Sequence, residues 1–288
     1  MFKQINKPYL IAEIGINHNG DIDIAKKLLD AVYSTEWDCA KFQKRNPDVC
    51  VPEKQKNLER ETPWGKMKYI DYKYKVEFNK KEYDEIDKYC NSKPLDWSAS
   101  VWDFDSLEFI LENYPKTKFL KIPSAVNCSF EFLEEACKSN FPILISLGMT
   151  NLKESDKIVN TLEKFSKDYC IMHTNSSYPA PNNELNISLI PFMIDRYNCP
   201  VGYSGHEIDL TPSVIASILG AKVIERHVTL DHNMWGSDHK ASLEVHAMSM
   251  LKKRIYSAIE CLGQPEKKIF YSESGSIDKL KNNNIKRT

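Results

Sequence analysis

The stretch KVIERHVTLDHNMWGSDHKASLE, residues 222 to 244, gathers Glu225, Arg226, His227, Asp231, His232, Asp238 and His239 just after a run that begins as a buried strand. Carboxylates and imidazoles grouped in this way can move protons, hold hydroxyl groups or share a divalent ion. A further histidine, His206, ends the apolar run PVGYSGH, with Ser204 two residues before it. Histidines at the ends of two neighbouring strands could share one ion, with water and substrate completing its shell, or could be satisfied core residues. Their spacing carries no metal-site signature, so both readings stay open. Asp238 follows Gly236 and is the loop carboxylate placed to fold back over the site, whereas Asp231, His232 and His239 read as ordinary loop residues.

Two lysines interrupt apolar runs: Lys41 between Ala40 and Phe42, Lys121 between Leu120 and Ile122. Lysine is almost never fully buried unless paired, so each reads as a point charge for an anion. The alternative is an internal ion pair with Glu13 or Glu225. A two-residue spacing puts side chains on one face of a strand, and it recurs here: Lys41 with Gln43, Ser98 with Ser100, Ser204 with His206, Glu225 with His227. Glu13, Lys121 with Ser124, Ser146, and Asn175 with Ser176 and Tyr178 supply the ends of the other runs. Taken alone, Ser98, Ser100 and Ser146 read as turn or capping hydroxyls.

The elements that must position these groups are eight short apolar runs, at 9–15, 39–43, 96–101, 119–124, 142–148, 169–174, 200–206 and 222–228. Helical periodicity separates most of them, as in Ala25, Leu28, Leu29 and Val32, or Ile158, Val159, Leu162 and Phe165. Strands alternating with helices pair in parallel, and eight such units predict a single (β/α)8 TIM barrel over 1–264. An open doubly wound sheet would want a GxGxxG turn after the first strand, and GINHNG is not one. Thr211 before Pro212, with Gly220 beyond, predicts a short capped helix; Ser242 and Glu244 start the last helix and Gly263 stops it. The proline-punctuated segment 44–78 is too long for an ordinary connection and reads as a lid, and 265–288 reads as a polar tail.

Composition narrows the function classes. Of 288 residues 42% are hydrophobic, enough for one large core. Lys plus Arg number 39 against 40 Asp plus Glu, so the net charge of -1 creates no field for nucleic acid or an acidic membrane, and any anion must be gripped locally. The opening MFKQINKPYLIAEIG is broken by Glu13 and no run reaches membrane-spanning length, which predicts a cytoplasmic protein. The 8 cysteines form no CxxC pair, which fits neither a zinc ribbon nor a disulfide framework and predicts buried free thiols.

In order along the chain, AEIGINHNG, KFQ, LKIPS, ISLGM, SSYPAP, VGYSGH, ERHVTL and GSDHKASLE resemble the motif set of the sialic acid synthase family. That family condenses phosphoenolpyruvate with an N-acetylhexosamine. The resemblance implies that Lys41, Ser100, Lys121, Ser124, Ser176 and Ser204 hold phosphoenolpyruvate. It implies that Glu13, Gln43, Tyr178, Glu225 and Asp238 hold the open-chain amino sugar, and that His206 and His227 bind manganese or magnesium. Glu13, Glu225, His206 and His227 would be the catalytic set. The metal would polarise the sugar aldehyde. C3 of phosphoenolpyruvate would then attack, and water activated by a glutamate or the metal would capture C2 before phosphate leaves by C–O cleavage.

Family members usually continue into a small antifreeze-like domain that offers an arginine to the partner's sugar, and this sequence stops about where that domain begins. The segment 44–78, with Trp64, Lys66, Tyr69, Tyr72, Tyr74 and Glu77, is the candidate substitute. Serine at 176 and glycine at 205 stand where better known members carry asparagine and aspartate. The expected function is therefore a nonulosonic acid synthase acting on an N-acetylmannosamine-like sugar, working as a homodimer. The competing readings are a legionaminic or pseudaminic acid synthase taking a diacetamido trideoxyhexose, and a silent barrel that only binds. Isolated charges in apolar strands argue against the silent barrel, since each is costly when unpaired.

Overall fold

A computed structural model describes residues 1–282. Its centre is a ring of eight strands: β1 (Tyr9–Gly15), β2 (Cys39–Lys44), β3 (Asp96–Val101), β4 (Leu120–Ile122), β5 (Ile143–Ser146), β6 (Tyr169–Thr174), β7 (Val201–Gly205) and β8 (Val223–Thr229). Each pairs in parallel with the next, and β8 returns to β1 to close the barrel. The predicted runs coincide with these strands, trimmed or extended by one or two residues at their ends.

Eight helices wrap the ring: α1 (Ile22–Ser34), α2 (Lys80–Ser92), α3 (Phe104–Asn113), α4 (Phe130–Lys138), α5 (Leu152–Phe165), α6 (Leu189–Tyr197), α7 (Thr211–Ile218) and α8 (Val245–Leu262). Their periodic apolar residues face the strands: α1 buries Ala25, Leu28, Leu29 and Val32, and α5 buries Ile158, Val159 and Leu162. Asp21 caps α1 through the Asp23 and Ile24 amides, and Asn151 with Glu154 forms a capping box on α5.

Two capping expectations are corrected. Thr211 is itself helical and no side chain caps the helix; Asp209, two residues before, accepts from the Thr211 amide and hydroxyl, each at 2.9 Å. Ser242 does not cap α8; its hydroxyl donates to the Asp238 carbonyl at 2.7 Å and accepts from Asn17 at 2.8 Å, tying the turn after β1 to the loop after β8.

The lumen is layered. At the bottom, the N-terminal turn Phe2–Gln4 plugs the barrel with Phe2 against Ile11, Cys39, Phe119, Leu144, Cys170 and Val223. Above this apolar floor the same alternation brings Glu13, Lys41, Lys121, Ser204 and Glu225 inward, and the register sets Glu13 beside both Lys41 and His227, Ser100 beside Lys121, and Ser204 beside Glu225.

The segment 44–78 has structure of its own: helices Pro47–Cys50 and Glu53–Lys56, an antiparallel hairpin of Glu59–Thr62 with Gly65–Lys68, and helix Tyr69–Val76. Tyr72 and Val76 bury against Ile16 in the turn after β1, anchoring the segment beside the barrel mouth. Beyond α8 the chain stays exposed through a short helix, Ser274–Leu280; residues 283–288 of the predicted tail lie outside the described residues. Among the described residues no helix is long and apolar enough to cross a membrane. All eight cysteines are free, and five are buried as expected, but Cys128 and Cys261 are exposed.

Candidate active site

The C-terminal mouth of the barrel holds a cavity of about 180 Å³ lined by Glu13, Lys41, Gln43, Ser100, Lys121, Ser124, Ser176, Tyr178, Ser204, His206, Glu225 and His227, together with Trp102 and Met149. Twelve of the thirteen residues singled out in the sequence thus meet in one place. The thirteenth, Asp238, lies at its rim with Oδ2 3.8 Å from His227 Nδ1. A larger hollow of about 510 Å³ lies between α3 and α4, walled by glutamates and alkyl side chains, and none of these groups converges there.

At the base sit two cations and two anions, each between 1% and 5% exposed. Lys41 pairs with Glu13, donates to Ser100 Oγ at 2.7 Å and lies 3.7 Å from Glu225. Lys121 reaches both oxygens of Glu225, at 3.1 and 3.2 Å, and Ser204 donates to the same carboxylate at 3.1 Å. The ion-pair reading of the lysines therefore holds, and both side chains also wall the cavity. Burial alone would push both ammoniums down, but Lys41 faces two glutamates and is raised. Lys121 has Glu225 against burial and the repulsion of Lys41, and stays lowered. Burial would raise the Glu225 carboxyl, yet Lys121 and Lys41 outweigh it and hold it well below the usual carboxylate range.

Above this layer His206 and His227 lie with ring centroids 5.4 Å apart. The Nδ1 of His206 bonds the Asn175 carbonyl at 2.5 Å, which makes Nδ1 the protonated nitrogen and leaves Nε2 an acceptor for the Tyr178 hydroxyl at 2.9 Å. Burial, then His227, pushes the His206 imidazole down to about 3, so it stays neutral. The Nδ1 of His227 is buried without a hydrogen-bond partner. A neutral imidazole whose Nε2 lone pair is engaged only by a phenol, beside an orphaned ring nitrogen, fits a divalent ion. Among the described residues no group of three or more His, Cys, Asp or Glu side chains is arranged for a metal, so protein donors at such an ion would be these two imidazoles.

On the opposite wall Ser124 and Ser176 converge on Gly148, where a Cβ would stand 2.6 and 2.4 Å from their hydroxyls. Gln43 donates to Glu13 at 2.8 Å and accepts from Arg45. Ser98 is a structural hydroxyl within β3, bonded to the Phe119 carbonyl at 2.6 Å, and neither a turn nor a cap.

Sequence reasoning missed Arg45. It follows Gln43 by two residues, the same alternation that marked the other pairs, and lies 4.9 Å over the Trp102 ring and 3.3 Å from Glu77. Arg226 and Glu207 were missed because they stand behind the site. Of the six residues named on segment 44–78, Tyr69 and Tyr72 wall a second cavity beside the mouth and Glu77 braces Lys44 and Arg45. Trp64, Lys66 and Tyr74 are exposed.

A closed (β/α)8 barrel whose C-terminal mouth holds buried lysines, glutamates and a histidine pair has the architecture in which barrel enzymes place their active sites. The chain matches the NeuB family over residues 28–267 and belongs to it. It is 34% identical to the N-acetylneuraminate-9-phosphate synthase of Homo sapiens over 94% of this chain and 76% of that one. It is 33% identical to the N,N'-diacetyllegionaminic acid synthase of Campylobacter jejuni, over 95% and 83%. The crystal structure of the sialic acid synthetase of Leptospira borgpetersenii, in complex with citrate, superposes with a TM-score of 0.84 at 26% identity, covering 95% of this chain and 91% of the other. The chain is thus an enzyme of a family that includes these synthases.

Proposed function

We propose that the protein condenses phosphoenolpyruvate with an open-chain N-acetylated amino sugar and water, giving a nonulosonic, sialic-type acid and inorganic phosphate. The observation that carries the reading is the pair of lysines at the floor of the cavity, with Ser100, Ser124, Ser176 and Ser204 around them. Ammoniums and hydroxyls there can take the phosphate and carboxylate of phosphoenolpyruvate once Glu13 and Glu225 yield their hold on Lys41 and Lys121. Gln43, Tyr178, Glu225 and Asp238 hold the sugar hydroxyls above, and Glu13 joins them.

In the reaction, C3 of phosphoenolpyruvate bonds to the sugar carbonyl carbon, whose oxygen takes a proton and becomes a hydroxyl. Water adds at C2 and gives up a proton, for which Glu13 and Glu225 are the carboxylates within reach. The hemiketal phosphate loses its remaining hydroxyl proton, the C2–O bond to phosphate breaks, and the 2-keto acid is left. His206 and His227 would hold manganese or magnesium, which supplies Lewis acidity for the sugar carbonyl when bound.

Identity to the human and Campylobacter relatives is nearly equal, which keeps a diacetamido trideoxyhexose as the second reading of the sugar. The reading includes a cytoplasmic homodimer, checked by light scattering on a sizing column. Its main test is phosphate release from phosphoenolpyruvate with manganese, using N-acetylmannosamine, its 6-phosphate and the two diacetamido trideoxyhexoses in turn. Release with one of them, suppressed by a chelator, is expected. No release with any, from folded protein, would leave a barrel that only binds.

A further inference from the structure

We propose that Arg45 is a positioning residue for the sugar: its guanidinium holds the side-chain carbonyl of Gln43, so that Gln43 turns its amide N–H to the substrate. This role rests on the reading that the sugar lies in the barrel mouth against Gln43, and it adds a residue that touches neither substrate.

Gln43 is the one side-chain amide among the described residues that line the cavity. A carboxylate or a hydroxyl offers the same chemistry whichever way it turns, but an amide turned over exchanges a donor for an acceptor. Two neighbours decide which way it faces. Glu13, paired with Lys41, presents acceptor oxygens, and Gln43 Nε2 donates to its Oε1 at 2.8 Å. A guanidinium has donors only, and Arg45 Nη2 donates to Gln43 Oε1. With the carbonyl turned to Arg45 and one amide hydrogen spent on Glu13, the second amide hydrogen is left for an oxygen of the sugar. Gly15, at φ 55°, keeps that edge clear, since a Cβ there would stand 3.1 Å from Gln43 Nε2.

Arg45 is itself held from several sides and is 6% exposed. Its guanidinium lies 4.9 Å over the ring of Trp102, which also lines the cavity, and its Nε lies 3.3 Å from Glu77 Oε2. Its backbone amide donates to the other Glu77 oxygen at 3.0 Å. Glu77 stands where the segment 44–78 returns to the barrel, so both ends of that excursion meet at Arg45. One connected chain therefore runs from Glu77 through Arg45, Gln43 and Glu13 to Lys41. A guanidinium fixed in this way has little freedom left to lose when the sugar binds, and it holds the half-buried Gln43 ready. The competing account is a clasp that only closes the segment.

The test compares Arg45→Met and Arg45→Lys with wild type, each alone and combined with Gln43→Ala, using variants whose thermal melts show them folded. Steady-state kinetics give the constants for both substrates, and calorimetry gives binding of the alditols made by borohydride reduction of the same sugars, which lack a carbonyl and cannot react. Arg45→Met should raise the sugar's Michaelis constant and weaken alditol binding by about three- to tenfold, the scale of one hydrogen bond, while the constant for phosphoenolpyruvate moves by less than about twofold. Arg45→Lys, which keeps a donor, should recover part of the loss. In the Gln43→Ala background Arg45→Met should cost nothing further, because a residue that acts through Gln43 has nothing left to hold. Equal costs with and without Gln43, or rises for both substrates together, overturn the role, make Arg45 a clasp, and leave the synthase reading standing. No turnover with any sugar, alongside alditol binding that weakens in Arg45→Met only while Gln43 is present, supports the role and removes the proposed reaction.

Discussion

Arg226 and Glu207 form an ion pair of 3.0 Å in which neither side chain reaches solvent. Arg226 stands between Glu225 and His227 but points to the other face of β8, and Glu207 directly follows His206. The guanidinium also donates to the backbone carbonyls of Glu207 and Asp209 and to Ser213 Oγ at 3.0 Å, while Tyr203 donates to the second Glu207 oxygen at 2.8 Å. The pair thus fastens the exit of β7 to β8 and fixes His206 relative to His227. It also accounts for Gly205, since a Cβ there would lie 2.7 Å from the Glu207 carboxylate and 2.8 Å from the Tyr203 ring.

Glu207→Ala should accordingly lower stability by about 3–5 kcal/mol, because it leaves a buried guanidinium uncompensated. Urea unfolding of the variant against wild type measures it. A loss under about 1 kcal/mol, the range of exposed pairs, would show that the clamp does not form as described.

The lysine layer gives a kinetic prediction. Lys121→Met removes a donor from the floor of the cavity, and the Michaelis constant for phosphoenolpyruvate should rise by about ten- to a hundredfold, the scale of 1.5–3 kcal/mol for a hydrogen bond to a charged group. The sugar's Michaelis constant should move much less. Equal rises for both substrates would place the lysine elsewhere in the reaction.

Much of this arrangement was legible because period-two alternation is rigid. Once Lys41 and Lys121 are read as strand residues between apolar neighbours, their side chains have one face left, and the barrel rule sends it to the mouth. Asp238 followed from a glycine before a carboxylate. What stayed hidden depends on contacts between distant elements. Arg226 has the same strand context as its neighbours, and only the packing of α7 on β7 and β8 shows that it is a clamp. Ser242 carried a good capping signal, but the turn at Asn17 claimed its hydroxyl. The hairpin Glu59–Thr62 with Gly65–Lys68 is short, charged and exposed, so it gives no hydrophobic period to read.

Acid stability follows from Glu225. Its folded-state carboxyl titrates at about 2 against an ordinary 4.5, burial being outweighed by Lys121 and Lys41. A depressed folded value means that the native state takes up the proton less readily than the unfolded chain. The stabilisation is therefore present in full above 4.5 and is lost as pH falls from there through 2. Unfolding midpoints of wild type and Glu225→Gln should converge by this contribution as pH drops through that window. A difference between them that is constant with pH would contradict the pairing.

The hydroxyl of Tyr178 and a divalent ion want the same lone pair. The Nδ1 of His206 is committed to the Asn175 carbonyl, so Nε2 is the nitrogen left to ligate, and Tyr178 donates to it at 2.9 Å. Removing that donor removes a competitor, and Tyr178→Phe should bind manganese at least as tightly as wild type, with a gain of a few-fold expected from about 0.5–1.5 kcal/mol for one neutral hydrogen bond. His206→Ala and His227→Ala should lose the ion while keeping the fold, and turnover with it. Electron paramagnetic resonance of free manganese titrated against each protein separates these cases without relying on activity. Weaker binding by Tyr178→Phe would mean that the phenol steadies the bound ion, and manganese affinity that survives in both histidine variants would place the ion away from this pair.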